Sequence, residues 1–111
     1  MPQTALPQEA VFKALADPTR REILALLRQG RQPAGAIAGR FPVSRPAISK
    51  HLRLLREAKL VVEAREGRAR LYQLNPAPLK SVDDWIAAYR RYWRTQLGNL
   101  RHFVETQTDE A

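Results

Sequence analysis

The chain has 111 residues, a formal net charge of +8 and no cysteine, so we expect one modest domain without disulfides, thiolate metal sites or thiol redox switches. Its 44% apolar and 27% charged residues argue against wholesale disorder. No apolar run approaches the roughly 20 residues that span a bilayer, and Met1–Leu6 lack the basic and apolar regions of a signal peptide. A pI near 10.8 indicates a polyanionic partner, with nucleic acid as the leading candidate.

Four helices are predicted in the first half of the chain, at about residues 9–16, 18–29, 33–40 and 44–58. Asp17 can cap the second helix, and Pro18 suits its first position, where a missing N–H costs nothing. Gly30 fits the stop that follows this helix. Ser44 is the expected cap of the fourth helix, with Pro46 in its first turn.

A hairpin and a long helix are predicted in the second half. Two strands at about 60–65 and 68–74 are joined at Glu66–Gly67, where glycine supplies the positive φ of a tight turn. The last helix, at about 79–105, carries an apolar residue at every third or fourth position.

The predicted order is four helices, two strands and a final helix. A short helix, a turn, a capped basic helix and a basic hairpin together indicate a winged helix-turn-helix, a mainly α fold with a small β wing. We expect this domain to span residues 9–105, with a flexible N-terminus at 1–8 and a flexible tail at 106–111.

The positive charge is concentrated in one segment. Residues 40–70 hold nine Lys and Arg against three Asp and Glu, and so carry +6 of the total +8. In the fourth helix Ile48, Leu52 and Leu55 form an apolar stripe, and the opposite stripe is basic. A basic stripe of this kind is what reading the major groove requires. The residues expected to contact DNA from this helix are Ser44, Arg45, Pro46, Ser49, Lys50, Arg53 and Arg56.

The predicted hairpin is basic around its turn. We expect Arg65, Arg68 and Arg70 to contact DNA as a wing, with Arg68 at the tip as the candidate for minor-groove insertion. Tyr72 is expected to close the core, and His51, between the two stripes of the fourth helix, is expected to have a structural or phosphate-contacting role.

Three motifs in this order resemble the arsenic-repressor (ArsR/SmtB) family of bacterial winged-helix repressors. They are Phe12–Leu24, then Ser44–Leu52 with Leu55–Ala58, and then Arg65–Arg68 with Leu71–Tyr72, within a resemblance that covers roughly residues 9–76. The resemblance implies a homodimeric repressor that binds an imperfect inverted repeat and leaves DNA when a signal arrives. The long final helix has the position of the family's dimerising helix.

The chain departs from the metal-sensing members of this family. Pro33 and Gly35 stand where those relatives carry a Cys-x-Cys pair, and neither can bind a metal. A second family site uses Asp, His and Glu across the last helices of a dimer. Here only Asp83, Asp84, His102 and Glu105 offer donors, and a solvated helix face is the favoured interpretation. The resemblance is therefore to a metal-independent branch, and no cofactor is expected.

The last helix is unusually aromatic. A domain this small has little core to absorb the stripe, so we expect a second copy to cover it, with an aromatic effector pocket as the alternative. The residues expected in the dimer interface are Phe12, Trp85, Tyr89, Trp93, Leu97 and Leu100.

The sequence thus predicts a dimeric, sequence-specific DNA-binding regulator, a repressor or autorepressor of the bacterial cytosol and nucleoid. Its partners would be double-stranded DNA and itself, with no membrane and an unknown effector. The alternatives are a non-specific architectural DNA-binding protein and a repressor with a zinc or organic-ligand site on the last helix. An enzyme is not expected, because His51 and His102 lie far apart and no catalytic motif accompanies them.

Overall fold

The structure, a computed structural model, describes residues 7–110, with the side chains of 8–106. Its elements are α1 (Pro7–Leu15), α2 (Pro18–Leu27), β1 (Gln32–Pro33), α3 (Ala34–Ala38), α4 (Arg45–Glu57), β2 (Val61–Glu66), β3 (Ala69–Leu74) and α5 (Leu79–Glu110). No helix within the described part of the chain is long and apolar enough to cross a membrane. The architecture is the predicted winged helix-turn-helix, a helical body with a small antiparallel sheet at one edge.

The core lies among the first four helices and the base of the wing. Every helix from α1 to α4 contributes at least one buried side chain, and Leu60, Val61 and Tyr72 close the core from the hairpin. Ile23, Ile37 and Leu55 are among its largest fully buried residues. The apolar stripe predicted on α4 is therefore the face by which this helix is seated.

The sheet has one strand more than the sequence predicted. It has the order β1-β3-β2, and β1 pairs with β3 through Gln32 opposite Tyr72 and Pro33 opposite Leu71. Two residues are too few to show a period-two pattern, and their partner lies some forty residues along the chain, so local patterning does not reveal the strand. Pro33 is tolerated because β1 is an edge strand.

Several element boundaries differ from the predicted ones. Helix α1 begins at Pro7 and not at residue 9. Helix α3 has five residues, because Pro33 belongs to β1 and the helix ends at Ala38 with Gly39 as its C-cap. Helix α5 continues to Glu110, five residues past its predicted end, so the predicted tail at 106–111 begins as helix. Of the flexible lead-in predicted at 1–8, residues 7 and 8 lie in α1, and residues 1–6 lie outside the described residues together with residue 111.

Helix α4 ends in a Schellman motif that directs the chain into the hairpin of β2 and β3. The Leu60 N–H donates to Leu55 O at 3.0 Å and the Lys59 N–H to Arg56 O at 2.9 Å, with Leu55 and Leu60 both fully buried. The motif needs one residue in the left-handed region, and here that residue is Lys59, with φ of 64°. Lysine carries a Cβ penalty there that glycine avoids.

Replacing Lys59 by glycine is expected to stabilise the domain by about 1 kcal/mol, because the relief of left-handed strain exceeds the extra chain entropy of glycine. Lys59→Ala is the matched control, since it removes the same charge and side chain but keeps the strain. Urea unfolding monitored by circular dichroism measures both. Equal stability of the two variants would show that the backbone conformation at Lys59 costs nothing.

Candidate nucleic-acid interface

Helix α4 presents one buried face and one exposed basic face. Ile48, Leu52 and Leu55 are at most 3% exposed and seat the helix on the core. All seven residues that the sequence predicted as DNA contacts on this helix are exposed: Ser44, Arg45, Pro46, Ser49, Lys50, Arg53 and Arg56. Because one face is fixed by packing, the other is displayed on a rigid support, as insertion into a groove requires.

The first turn of α4 is capped from within. Ser44 Oγ accepts the Ala47 N–H at 3.3 Å, and Pro46 follows in the first turn without an N–H of its own. The backbone N–H of Arg45 and the Arg45 side chain can therefore donate to an acceptor outside the helix. A helix N-terminus favours anionic acceptors, so both groups suit a phosphate or a base edge.

The three carboxylates of the basic segment are each held by arginine. Glu57 pairs with Arg53 at 4.0 Å, and Glu66 pairs with Arg31 at 3.1 Å. Glu63 pairs with two arginines, Arg56 and Arg70. Within the described residues, the segment's basic side chains that form no such pair are Arg40, Arg45, Lys50, Lys59, Arg65 and Arg68. These six carry the net charge of the segment.

The wing turns at two residues, Gly67 and Arg68, with Glu66 opposite Ala69 in the ladder. Gly67 has φ of 61°, while Arg68 does not have a positive φ, which is the pattern of a type II′ turn. Arg68 therefore stands at the tip of the hairpin, where the sequence placed it. Arg65 and Arg70 lie directly opposite each other lower in the same ladder.

Arg20, on α2, links α1 to α4. Its buried guanidinium donates to Ala14 O at 2.8 Å and Lys13 O at 3.0 Å, at the end of α1, and reaches His51 Nδ1 on α4 at 3.2 Å. Guanidinium carries only donors, so Nδ1 accepts. His51 thus has a structural contact, as the sequence predicted, and its phosphate-contacting role stays a prediction.

Asp17 completes this junction. Its side chain accepts the backbone N–H of Arg20 at 3.0 Å and caps α2, as predicted, and this bond holds the pKa of Asp17 below its usual value. Oδ2 also lies 3.9 Å from His51 Nδ1. The start of α2, the end of α1 and the middle of α4 therefore meet in one hydrogen-bonded cluster.

Helix α5 leaves the body with its aromatic face uncovered. Phe12 of α1 packs edge-on against Trp85, with ring centroids 5.5 Å apart, and Trp85 continues to Tyr89 at 5.0 Å. Beyond this contact every residue from 91 to 106 is exposed, and Trp93 among them has half of its surface exposed. Large apolar side chains on the exposed part of the helix include Trp93, Leu97, Leu100 and Phe103. Large apolar side chains aligned along an exposed helix are typical of an interaction surface.

The weak metal candidates are not brought together in one chain. Asp84 pairs with Lys80 at 2.7 Å, and Glu105 pairs with Arg101 at 3.2 Å. Asp84 and His102 lie 18 positions apart on one straight helix, a separation of about 27 Å. The described residues contain no cluster of three or more His, Asp or Glu that could hold a metal ion.

Comparison with known proteins identifies the family. A helix-turn-helix domain family matches residues 15–64. The transcriptional repressor SdpR of Bacillus subtilis is 45% identical over 68% of this chain and 84% of its own length. A helix-turn-helix transcriptional regulator of Mycobacterium tuberculosis is 35% identical over 93% of this chain and 94% of its own. An ArsR-like regulator from Rhodococcus sp. RHA1 superposes with a TM-score of 0.68 at 35% identity, over 87% of this chain and 92% of that one. The chain belongs to the ArsR family.

Membership of the ArsR family confirms the predicted fold and the general function. The family consists of DNA-binding transcriptional regulators, and named repressors are among the relatives of this chain. This ArsR-family regulator therefore acts on DNA through a winged helix-turn-helix, and its family is not one of enzymes. The particular DNA contacts and dimer contacts remain predictions.

Arg20→Met is expected to lower the free energy of unfolding by about 3 kcal/mol, because it leaves the Ala14 carbonyl and the ring nitrogen of His51 without their donor and leaves the Lys13 carbonyl with the Ala16 N–H alone. The adjacent Arg21→Met removes the same charge, but Arg21 makes one exposed bond to Leu15 O, so its loss should stay within about 0.5 kcal/mol. Chemical denaturation compares the two. Equal losses would contradict the role given to Arg20.

Proposed function

We propose that this protein is a homodimeric transcriptional repressor that reads an inverted-repeat operator and needs no cysteine metal site. The observation that carries the proposal is the arrangement of α4, whose apolar face is buried while its capped N-terminal end, with Arg45, is exposed and unpaired among the described residues. Double-stranded DNA and a second copy are its partners, in the bacterial cytosol with the nucleoid. The effector, if the repressor responds to one, binds elsewhere than at a thiolate.

The residues divide by their distance from the groove. Arg45, Pro46, Ser49 and Lys50 lie in the first half of α4 and approach base edges, because recognition helices enter with their N-terminal end. Arg and Lys pair with guanine O6 and N7, and a serine hydroxyl bonds either a base or a phosphate. Arg53 and Arg56, one and two turns later, lie along the phosphate backbone with Ser44 at the other end. The wing arginines Arg65, Arg68 and Arg70 contact the neighbouring groove and its phosphates.

Dimerisation supplies the second half-site. Two copies joined through α5 and Phe12 of α1 would cover the exposed aromatic face and place two α4 helices on one side of a duplex. Half-sites about 34 Å apart suit such a pair. A single α4 makes too few base contacts for its affinity to exceed that of non-specific binding. Non-specific complexes have dissociation constants of about 10⁻⁴ to 10⁻⁶ M at physiological salt.

Selection of bound duplexes from a random pool tests the proposal as a whole. We expect an inverted repeat, bound at least about 10³-fold more tightly than unrelated duplex. Recovery of no common sequence, or equal competition by unrelated DNA, would replace the repressor with a non-specific architectural protein.

Arg45→Ala is expected to cost about 1–3 kcal/mol in operator binding and to relax the preference at one base position, if Arg45 reads a base. Arg68→Ala should instead weaken binding with less change in base preference, except at A·T-rich flanks, since Arg68 contacts backbone or minor groove. Arg94→Ala, an exposed arginine on α5, is the charge control and should change neither. Fluorescence anisotropy against the selected operator and point-mutated operators measures these effects. Unchanged affinity in both Arg45→Ala and Arg68→Ala would contradict the placement of the DNA face.

Trp93→Glu is expected to weaken the dimer by about 3 kcal/mol or more, about 100-fold in the dimer dissociation constant, because it buries a charge in place of an aromatic anchor. Thr95→Glu introduces the same charge two residues along, about 200° around the helix, and should leave the dimer intact. Sedimentation velocity separates monomer from dimer. A wild-type monomer, or two variants with the same sedimentation behaviour, would contradict an interface on this face of α5.

A further inference from the structure

Glu63 is the one described carboxylate that bridges the two DNA-facing elements. Its Oε1 lies 3.8 Å from Arg56 Nη1 on α4, and its Oε2 lies 3.4 Å from Arg70 Nε on β3. Its side chain is only 26% exposed, less than either arginine. Tyr72 stands directly opposite Glu63 in the ladder, and burial together with the neighbouring Glu63 carboxylate raises the pKa of Tyr72. Glu63 is therefore paired with two arginines, one on each element, and lies beside a buried tyrosine.

The position of Glu63 in the sheet explains why this charge is tolerated in a basic wing. Arg65 and Arg70 are opposite each other in the β2–β3 ladder, and like charges in that arrangement repel. Glu63 lies two residues before Arg65 on the same face, diagonal to Arg70. A carboxylate at the diagonal position offsets the repulsion and still reaches Arg56 on the helix behind the sheet.

The bridge has two consequences for DNA binding. It fixes the wing against the C-terminal half of α4, so the two elements meet a duplex in one relative orientation. The bridge also pairs with Arg56 and Arg70, which were expected to contact DNA. These two side chains are then less available to phosphates of DNA that is bound without base contacts. At 3.8 and 3.4 Å neither contact is a tight bidentate pair, so a correctly placed phosphate can still compete.

We propose that Glu63 is a specificity-determining residue of this regulator, which positions Arg56 and Arg70 and penalises binding that rests on backbone charge alone. The inference rests on the DNA face proposed above. Non-specific complexes draw essentially all their affinity from phosphate neutralisation, whereas an operator complex also gains base contacts that need helix and wing in a fixed arrangement. A bridge that orders the elements and masks two cations therefore favours the operator over other DNA.

Glu63→Gln tests this inference. Glutamine removes the charge but keeps the size of the side chain and a carbonyl oxygen in place of one carboxylate oxygen. The matched control is Glu66→Gln, which removes the same charge three residues along β2 from a pair with Arg31 that does not join α4 to the wing. Thermal melting of both variants first confirms that they fold. Binding is then measured by anisotropy on a mixed-sequence duplex of about 30 base pairs and on the operator recovered by selection, over a series of salt concentrations.

We expect Glu63→Gln to bind the mixed-sequence duplex about 5–10-fold more tightly near 0.1 M salt than Glu66→Gln does, and to steepen the salt slope by about 0.9 for each phosphate gained. Operator affinity should rise less or fall, so the ratio of operator to mixed-sequence affinity drops. A merely structural role for Glu63 would lower both affinities together and leave the slope unchanged.

Two failures are distinguishable in this experiment. If the wild-type protein binds neither duplex in a salt-dependent manner, the proposed DNA face is wrong and this inference falls with it. If the wild type binds the operator and Glu63→Gln matches Glu66→Gln in affinity ratio and slope, the DNA face stands and the role of Glu63 alone is overturned.

Discussion

The orientation of the recognition helix depends on how one buried charge is satisfied. Arg20 is the buried charged residue among the described side chains, and a buried guanidinium is tolerated only where its donors find partners. The last carbonyls of α1 supply two acceptors and His51 of α4 supplies a third. Because these acceptors belong to different helices, satisfying the charge also sets how those helices cross. Apolar packing alone would allow α4 to slide, since leucine and isoleucine contacts are not directional.

Glu63 solves a similar problem at the other side of α4. There the charge is negative and its side chain is about a quarter exposed, and its partners come from α4 and from β3. The Schellman motif lies between these two contacts and turns the chain from α4 into β2 without a flexible linker. The helix and wing are thus connected covalently by a rigid turn and electrostatically by a bridge. A regulator that must place both elements on one duplex gains from this order, because less freedom is lost when it binds.

Much of the fold follows from local patterning, and the exceptions have physical causes. Apolar spacing and the caps at Asp17 and Ser44 were sufficient to predict α2 and α4, because these signals lie within a few residues of the element they define. Strand β1 was missed because its only support is pairing with β3, far along the chain. Glu63 was missed for the same reason: its importance comes from Arg56 and Arg70 together, which the sequence separates. The exposed basic face was predictable, since charge and helical period are both local, but which of its arginines are engaged was not.

The shape of α5 bears on how a signal would reach the DNA face. The helix is 32 residues long, about 48 Å, and its side chains from 91 to 106 stand free of the body. A ligand site needs concave walls, and a single projecting helix offers a convex surface instead. An aromatic effector pocket at Trp93 would therefore require a second copy to form its other wall. In that case the dimer and the effector site are not alternatives, because the dimer forms the site. A molecule bound between the α5 helices would act on α4 through α1, which packs against both α5 and α4.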